Sequence, residues 1–164
     1  MAAEIHPLKV GSLETNCYLL KSGREIAIID PGGEPEKILK KIKEIGGEPK
    51  YIINTHSHPD HTSANREIER GSGAVILTPK EGQEIKIGDN VLEVISTPGH
   101  TKDSICLLGQ DFIFTGDTLF ETGYGRTDLP GGSQREIESS LEKLKRIIKS
   151  GMMVYPGHGN IFQK

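Results

Sequence analysis

Short apolar runs, separated by glycine, proline and polar residues, recur along the 164-residue chain. Runs of this kind that are rich in isoleucine, valine, leucine and phenylalanine are typical of β-strands. The pattern predicts about ten strands, over residues 5–10, 16–21, 25–30, 51–54, 74–78, 83–87, 90–96, 104–108, 112–115 and 153–155. The Gly-Asp pair at residues 88–89 predicts that the sixth and seventh of these form a hairpin.

Two longer segments instead carry apolar residues at helical spacing. The first starts at Pro35, a residue suited to the first turn of a helix, and ends at Gly46. Its apolar stripe consists of Ile38, Leu39, Ile42 and Ile45. The second begins at Ser133, which forms a capping-box pattern with Glu136, and its stripe consists of Ile137, Leu141, Leu144, Ile147 and Ile148. A short polar helix is expected over residues 62–70.

These elements predict an α/β fold of two packed sheets with helices on the outside, because each long helix has only one apolar face. The length suits one domain with a sizeable core, and we expect a single domain over 1–164. No internal repeat or linker interrupts the pattern.

Residues 52–61, Ile-Ile-Asn-Thr-His-Ser-His-Pro-Asp-His, join a short apolar strand to a loop with three histidines and one aspartate. Histidine and aspartate are ligands of zinc and similar transition metals. His56 and His58 are two residues apart, so an extended backbone directs both rings to the same side. Pro59 ends the extended segment, and Asp60 and His61 are expected at the start of a helix. A solvated, histidine-rich loop is the simpler alternative.

Four predicted strands end in such a residue, and these ends can converge on one edge of a sheet. The strand ends supply seven candidate ligands: His56, His58, Asp60, His61, His100, Asp117 and His158. Seven ligands are too many for one catalytic zinc and suit two metals that share a hydroxide, with one carboxylate bridging them. A serine–histidine pair with Ser57 or Ser63 is an alternative that metal binding by the histidines would prevent. His6 lies outside the pattern and is expected to be structural or exposed.

Composition narrows the class of protein further. The net charge of −3, from 20 basic and 23 acidic residues, argues against non-specific nucleic-acid binding. No apolar run is long enough to span a membrane, and the first residues do not form a signal peptide. Cys17 and Cys106 show no paired spacing and are expected to be buried, reduced thiols. We therefore expect a cytoplasmic protein.

The segment Thr55-His56-Ser57-His58-Pro59-Asp60-His61 resembles the His-x-His-x-Asp-His signature of the metallo-β-lactamase superfamily. Later motifs of that family are matched in order at residues 98–101, 115–120 and 156–159. The resemblance implies an αββα sandwich of two mixed sheets flanked by helices, with metals at one edge. It also implies that His56, His58 and His100 hold one metal, that Asp60, His61 and His158 hold another, and that Asp117 bridges them.

Residues 116–120 and 125–133 are similar to the glyoxalase II-like branch, the hydroxyacylglutathione hydrolases. In this loop Arg126 and Asp128 either form an ion pair that supports the ligands, or Arg126 faces the substrate. The chain departs from glyoxalase II because only residues 160–164 follow the last motif, where that enzyme has a helical region. The site is then open on one side or completed by a second subunit, and a monomer and a homodimer are both compatible.

The resemblance implies a hydrolase of thioesters such as S-2-hydroxyacyl-glutathione, with a small-molecule substrate and no membrane or nucleic-acid partner. Two divalent metals are expected, zinc first and iron or manganese as alternatives, with Asp60 and Asp117 as the catalytic carboxylates. The first alternative is a mononuclear iron persulfide dioxygenase that uses His56, His100 and Asp117. A second is a metal-dependent RNA-processing hydrolase, and a purely structural metal site is disfavoured because such sites are closed by four ligands.

Overall fold

A computed structural model describes residues 2–164. In this part of the chain the strands are β1 (Glu4–Val10), β2 (Thr15–Ser22), β3 (Glu25–Ile29), β4 (Glu48–Ile53), β5 (Val75–Leu77), β6 (Glu84–Ile87), β7 (Asn90–Ser96), β8 (Ile105–Leu108), β9 (Phe112–Gly116), β10 (Met153–Pro156) and β11 (Phe162–Gln163). The helices are α1 (Pro35–Ile45), α2 (Pro59–Thr62), α3 (Asn65–Ser72) and α4 (Gln134–Ile147). None of the described helices has the length and hydropathy needed to cross a bilayer.

The chain divides into two compact units, each built around one sheet. The first unit holds the described residues up to Asn54 together with His58–Pro79 and Ile85–Val91. The second holds Thr55–Ser57, Lys80–Glu84 and Leu92–Lys164. A five-stranded sheet belongs to the first unit, and most of a six-stranded sheet belongs to the second.

The first unit contains a mixed sheet in the order β1-β2-β3-β4-β5. The β1–β2 and β2–β3 pairs are antiparallel, whereas β3–β4 and β4–β5 are parallel. Helices α1 and α3 cover this sheet, because Ile38 and Ile42 of α1 and Ile68 of α3 share one core cluster with the strand residues Leu19, Ile28 and Ile52. The predicted apolar stripe of the first long helix is thereby confirmed.

The second mixed sheet has the order β11-β10-β9-β8-β7-β6. The parallel β9–β10 pair is connected through α4, and the β7–β8, β8–β9 and β10–β11 pairs are antiparallel. Leu144 of α4 and Ile148 just after it pack against Ile113 and Val154 of this sheet. The helix begins as predicted, since the Ser133 hydroxyl accepts a hydrogen bond from the Glu136 backbone N–H at 3.3 Å.

Two elements differ from the predictions. The helix expected over residues 62–70 is two helices, since α2 ends at Thr62 and α3 starts at Asn65. The break occurs because the Ala64 N–H donates to the Pro31 carbonyl at 3.0 Å. The two-residue strand β11 was not predicted, because so short a segment has no periodicity to detect.

The two cysteines are free and buried, as predicted. Burial raises the pKa of the Cys106 thiol to about 12. Burial, with a further contribution from Asp30, also raises the pKa of Cys17. Neither thiol is therefore available as a thiolate near neutral pH.

Candidate metal centre

The second unit carries four of the predicted ligands, each in a loop that follows a strand. His100 follows β7, Asp117 follows β9 and His158 follows β10. His56 lies three residues beyond β4. His56, His100 and Asp117 are buried, while the side chain of His158 is 26% exposed. The second unit thus places imidazoles and a carboxylate at strand ends, where the sheet fixes their backbone.

Asp117 is the centre of this cluster. Its Oδ2 lies 3.4 Å from Nε2 of His100, 3.4 Å from Nε2 of His158 and 3.9 Å from Nε2 of His56. These separations exceed those of ordinary hydrogen bonds. Two atoms that are each about 2.1 Å from a tetrahedral zinc ion lie roughly 3.4 Å apart. The observed spacing therefore fits a group of atoms that share a cation.

The orientation of His100 is set by a backbone carbonyl. Its Nδ1 lies 2.7 Å from the carbonyl oxygen of Arg126, which can only accept, so Nδ1 carries the proton and donates it. Nε2 is then the nitrogen with the lone pair directed toward Asp117. Gly125 permits this approach, because a Cβ at that position would overlap the Asp117 carbonyl and meet the His100 ring.

The first unit carries the other three predicted ligands. His58 occupies the N-cap position of α2 and has an extended backbone, with φ −60° and ψ 142°. Asp60 and His61 lie inside this short helix, which confirms their expected position at a helix start. His61 is fully buried, and its Nε2 lies 3.4 Å from Asp60 Oδ2. The Thr15 hydroxyl donates to the same Asp60 oxygen at 3.3 Å.

Asp30 is a site residue that the sequence reasoning missed. Its Oδ2 lies 2.9 Å from Nδ1 of His61, and both side chains are almost completely buried. A carboxylate only accepts, so His61 donates through Nδ1, and Nε2 keeps the lone pair with which it would bind a metal. The available signal was position, because Asp30 directly follows β3, just as the predicted ligands follow their strands.

All seven predicted ligands fall into two groups of potential ligand atoms. One group contains His56, His58 and His100, and the other contains Asp60, His61, Asp117 and His158. Within each group, one nitrogen or oxygen atom per residue lies within 4.8 Å of the others. Such donors suit zinc and iron in particular. This His/Asp cluster therefore has the composition and spacing of a metal-binding site, and the roles of the individual ligands stay predictions.

Arg126 and Asp128 form the ion pair that was one of the two predicted alternatives. The guanidinium Nε and one terminal nitrogen donate to the two carboxylate oxygens at 2.7 and 2.8 Å. The hydrogen bond from Arg126 lowers the pKa of Asp128 to about 2. Both side chains are largely exposed. Arg126 contacts His100 through its backbone carbonyl and not through its guanidinium group.

The hydroxyls of Ser57 and Ser63 have partners other than histidine. Ser63 donates to the Pro59 carbonyl within its own helical turn. The Ser57 hydroxyl forms a hydrogen bond with the Asp103 carboxylate. Burial raises the pKa of Asp103, but the hydrogen bonds from Thr101 and Ser57 outweigh it, so the pKa is lowered overall. These contacts support the preference for a metal centre over a serine–histidine pair.

Comparison with known proteins supports this description. The model of the metallo-beta-lactamase superfamily matches residues 10–89 and 75–158. A probable metallo-hydrolase of Bacillus subtilis, YqgX, is 34% identical over 93% of this chain and 88% of its own length. The probable polyketide biosynthesis zinc-dependent hydrolase PksB, also of Bacillus subtilis, is 30% identical over 94% of this chain and 78% of its own length. A hydroxyacylglutathione hydrolase of Anaeromyxobacter dehalogenans is 34% identical over 86% of this chain and 60% of its own length.

Solved structures show the same fold. The structure of ETHE1 from Myxococcus xanthus has a TM-score of 0.90 at 28% identity, covering 98% of this chain and 79% of that one. A di-iron-bound form of TTHA1623 has a TM-score of 0.87 at 27% identity, covering 96% and 94%. The predicted fold class, two mixed sheets flanked by helices, is confirmed by these likenesses. With its motifs, its His/Asp cluster and its fold in agreement, the chain belongs to the metallo-beta-lactamase superfamily and has hydroxyacylglutathione hydrolases among its relatives.

Proposed function

We propose that this chain is a metal-dependent hydrolase of thioesters of the S-2-hydroxyacyl-glutathione type. The observation that carries the proposal is the position of Asp117, whose Oδ2 is equidistant from His100 and His158, one from each ligand group. A carboxylate so placed suits a bridge between two cations. Relatives named hydroxyacylglutathione hydrolase, at 33% and 34% identity, support the thioester as the substrate class.

In this proposal each ligand group holds one divalent ion. His56, His58 and His100 would hold the first ion, whereas Asp60, His61 and His158 would hold the second, and Asp117 would be shared by both. Zinc is the proposed metal, with iron or manganese as alternatives. The zinc-dependent hydrolase among the relatives supports zinc, and the di-iron structure among the neighbours supports iron.

The side chains then have separate tasks in hydrolysis. Bound metal ions lower the pKa of water to about 7 and polarise the carbonyl group. Asp60, partly exposed and held by the Thr15 hydroxyl, orients the attacking water and accepts its proton. The water oxygen bonds to the carbonyl carbon, and the C–S bond breaks with its electron pair on sulfur. The proton taken up by Asp60 then passes to the departed thiolate, so that a carboxylic acid and a thiol are the products. A thiolate is a good leaving group, so no dedicated general acid is needed.

The first test is the metal content of protein expressed without added metal, followed by a panel of acyl thioesters. About two zinc ions per chain and turnover of at least one thioester are expected. Two bound metals without turnover of any thioester would contradict the proposed substrate class.

The bridging role of Asp117 makes a sharper prediction. Asp117→Ala should lower the metal content and reduce the rate of thioester hydrolysis. The loss of rate should exceed the roughly 10–100-fold that follows from mutating residues hydrogen-bonded to metal ligands, because Asp117 is itself a proposed ligand. Elemental analysis and turnover numbers measure the two effects, with His6→Ala as the histidine control outside both groups. Normal turnover with two metals still bound would exclude the bridge.

A mononuclear iron persulfide dioxygenase is the second candidate. It is supported by the positions of His56, His100 and Asp117, which lie together within the second unit and form a two-histidine, one-carboxylate set. One iron per chain and oxygen uptake with glutathione persulfide would favour this candidate over the hydrolase.

The cytoplasmic location, the oligomeric state (monomer or homodimer) and the lack of a nucleic-acid partner stay predictions.

A further inference from the structure

An apolar groove of about 660 Å³ runs beside α4 in the second unit. Its volume lies within the roughly 300–1,000 Å³ typical of small-molecule sites. Its apolar lining comes from α4, from the loop after Asp117 and from β11, and includes Leu119, Phe120, Tyr124, Leu141, Ile148 and Phe162. Tyr124 is 44% exposed, and its hydroxyl accepts a hydrogen bond from Gln134 Nε2 at 3.0 Å. This groove has no role in the chemistry described above.

One wall residue of the groove lies next to a candidate ligand of the metal centre. Phe120, which forms part of its wall, follows Asp117 by three residues, and its ring centroid lies 6.3 Å from that of His158. The wall is fixed in place, because the Phe120 N–H donates to the Gly123 carbonyl at 2.9 Å. The Thr115 hydroxyl also donates to the Leu119 carbonyl at 2.8 Å. A substrate held at His158 would therefore lie beside Phe120, a residue of the groove wall.

The rim of the groove is acidic. Lys145 is paired with Glu142 at 2.6 Å, so its charge is compensated. Glu121 and Glu138 also line the groove and are hydrogen-bonded to the neutral amides of Asn160 and Gln134. The remaining cation on the lining is Lys164. With Glu121, Glu138 and Glu142 against Lys145 and Lys164, the lining carries one net negative charge and no cluster of cations that would attract an anionic ligand.

We propose that the groove receives the hydrocarbon chain of the acyl group, so that the substrate class is thioesters whose acyl group carries an uncharged hydrocarbon chain. This inference rests on the proposed thioester hydrolysis and specifies its substrate. Each methylene that leaves water for an apolar site improves binding by about fourfold. Chain length should therefore change kcat/KM in a graded way until the groove is filled.

The test uses the full chain loaded with zinc and the acetyl, butanoyl, hexanoyl and octanoyl thioesters of N-acetylcysteamine, a small uncharged thiol. We expect kcat/KM to rise about fourfold per methylene over the first carbons. Leu141→Glu places a charge in the groove and should flatten this rise. Ser139→Glu adds the same charge at an exposed position of α4 that does not line the groove, and it should keep the rise. Thermal unfolding of both variants verifies that they fold.

A binding measurement makes the test independent of turnover. The probe is the octanoyl ketone analogue, in which a methylene replaces the thioester sulfur, and the readout is the backbone amide chemical shifts of the wild-type chain. Shifts at Leu141, Ile148 and Phe162 are expected, and shifts confined to other residues would overturn the proposal. A dimer that Leu141→Glu converts to a monomer would also overturn it, since the groove would then be a subunit interface.

The two proposals fail in different ways. Hydrolysis of the acetyl thioester without any rise along the series leaves thioester hydrolysis intact and overturns the role of the groove. Absence of hydrolysis for every thioester, with the ketone still bound at Leu141, overturns the proposed function and retains the groove as a site for apolar chains.

Discussion

His61 shows how a single buried contact orients a candidate metal ligand. The Asp30 carboxylate accepts a hydrogen bond from His61 Nδ1 at 2.9 Å, so Nε2 of His61 points toward Asp60. Asp30 itself has a positive φ of 53°, a conformation that aspartate and asparagine adopt more readily than most residues. Its carbonyl accepts from the Gly32 N–H at 2.8 Å, which closes the turn after β3. The turn thus places a carboxylate behind the histidine.

Replacement of Asp30 should weaken metal binding. Asp30→Ala removes the acceptor behind His61 and should lower metal affinity by about 10–100-fold, as is typical of contacts that orient a metal ligand. Asp30→Asn keeps an acceptor oxygen and tolerates the positive φ, so its loss should be smaller. Metal titration of both purified variants measures the difference. Equal affinities of Asp30→Ala and the wild type would exclude this positioning role.

Site residues can be predicted from the sequence when their side-chain type and position are distinctive. The seven ligand candidates were found because each is a histidine or aspartate close to a strand end or a Gly- or Pro-containing turn. Asp30 has the same position, but the Pro-Gly-Gly that follows it indicated only a turn. The contact between His100 and the Arg126 carbonyl involves a backbone atom, which every residue possesses. Such contacts carry no side-chain signature and become visible only in the structure.

At the scale of elements, Glu25 connects β3 to two other segments. Its carboxylate accepts the Gly88 N–H at 2.7 Å, at the turn between β6 and β7, and pairs with Lys50 of β4 at 2.7 Å. The hydrogen bond from Gly88, followed by that from Lys50, lowers the pKa of Glu25 below its ordinary 4.5. The folded state therefore favours the ionised form of this side chain.

This lowered pKa predicts a pH-dependent contribution to stability. Because the pKa of Glu25 is lower in the folded than in the unfolded state, its ionised form stabilises the fold at pH values above the unfolded-state pKa of about 4.5. This stabilisation is lost as the pH falls from about 4.5 through the folded-state pKa. Glu25→Gln should cost about 0.5–1 kcal/mol at pH 7, since the pair is partly solvent-screened, and less at pH 3. Urea unfolding at both pH values measures this, with exposed Glu84→Gln in β6 as the control. A cost that stays constant with pH would contradict the prediction.

Most elements were predictable because their signals are local. The periodicities of α1 and α4 and the apolar runs of the strands lie within the observed elements or within a few residues of them. The break between α2 and α3 was missed because the Ala64 N–H bonds to Pro31, which is 33 residues away in sequence. The parallel pairing of Ile28 with Ile52 likewise depends on the crossover through α1, and the apolar pattern does not encode strand order.

For the whole molecule, the spread of the ligands along the chain links metal binding to folding. The seven candidate ligands extend from residue 56 to residue 158, and the two groups form only when the distant segments have folded. An ion that binds the folded chain and not the unfolded chain stabilises it by about 2.7 kcal/mol when its free concentration is 100-fold above Kd. Metal removal should therefore lower the stability of the entire chain.

For a chain of this size, that loss corresponds to a fall in Tm of roughly 5–10 °C for one site held at that concentration. Calorimetric unfolding of zinc-loaded protein and of chelated protein with verified zero metal content measures the fall. His6→Ala should show the same fall as the wild type, because His6 lies outside both ligand groups, whereas His61→Ala should show a smaller one. If chelation left the Tm unchanged, the His/Asp cluster would not be a site that binds metal in the folded state.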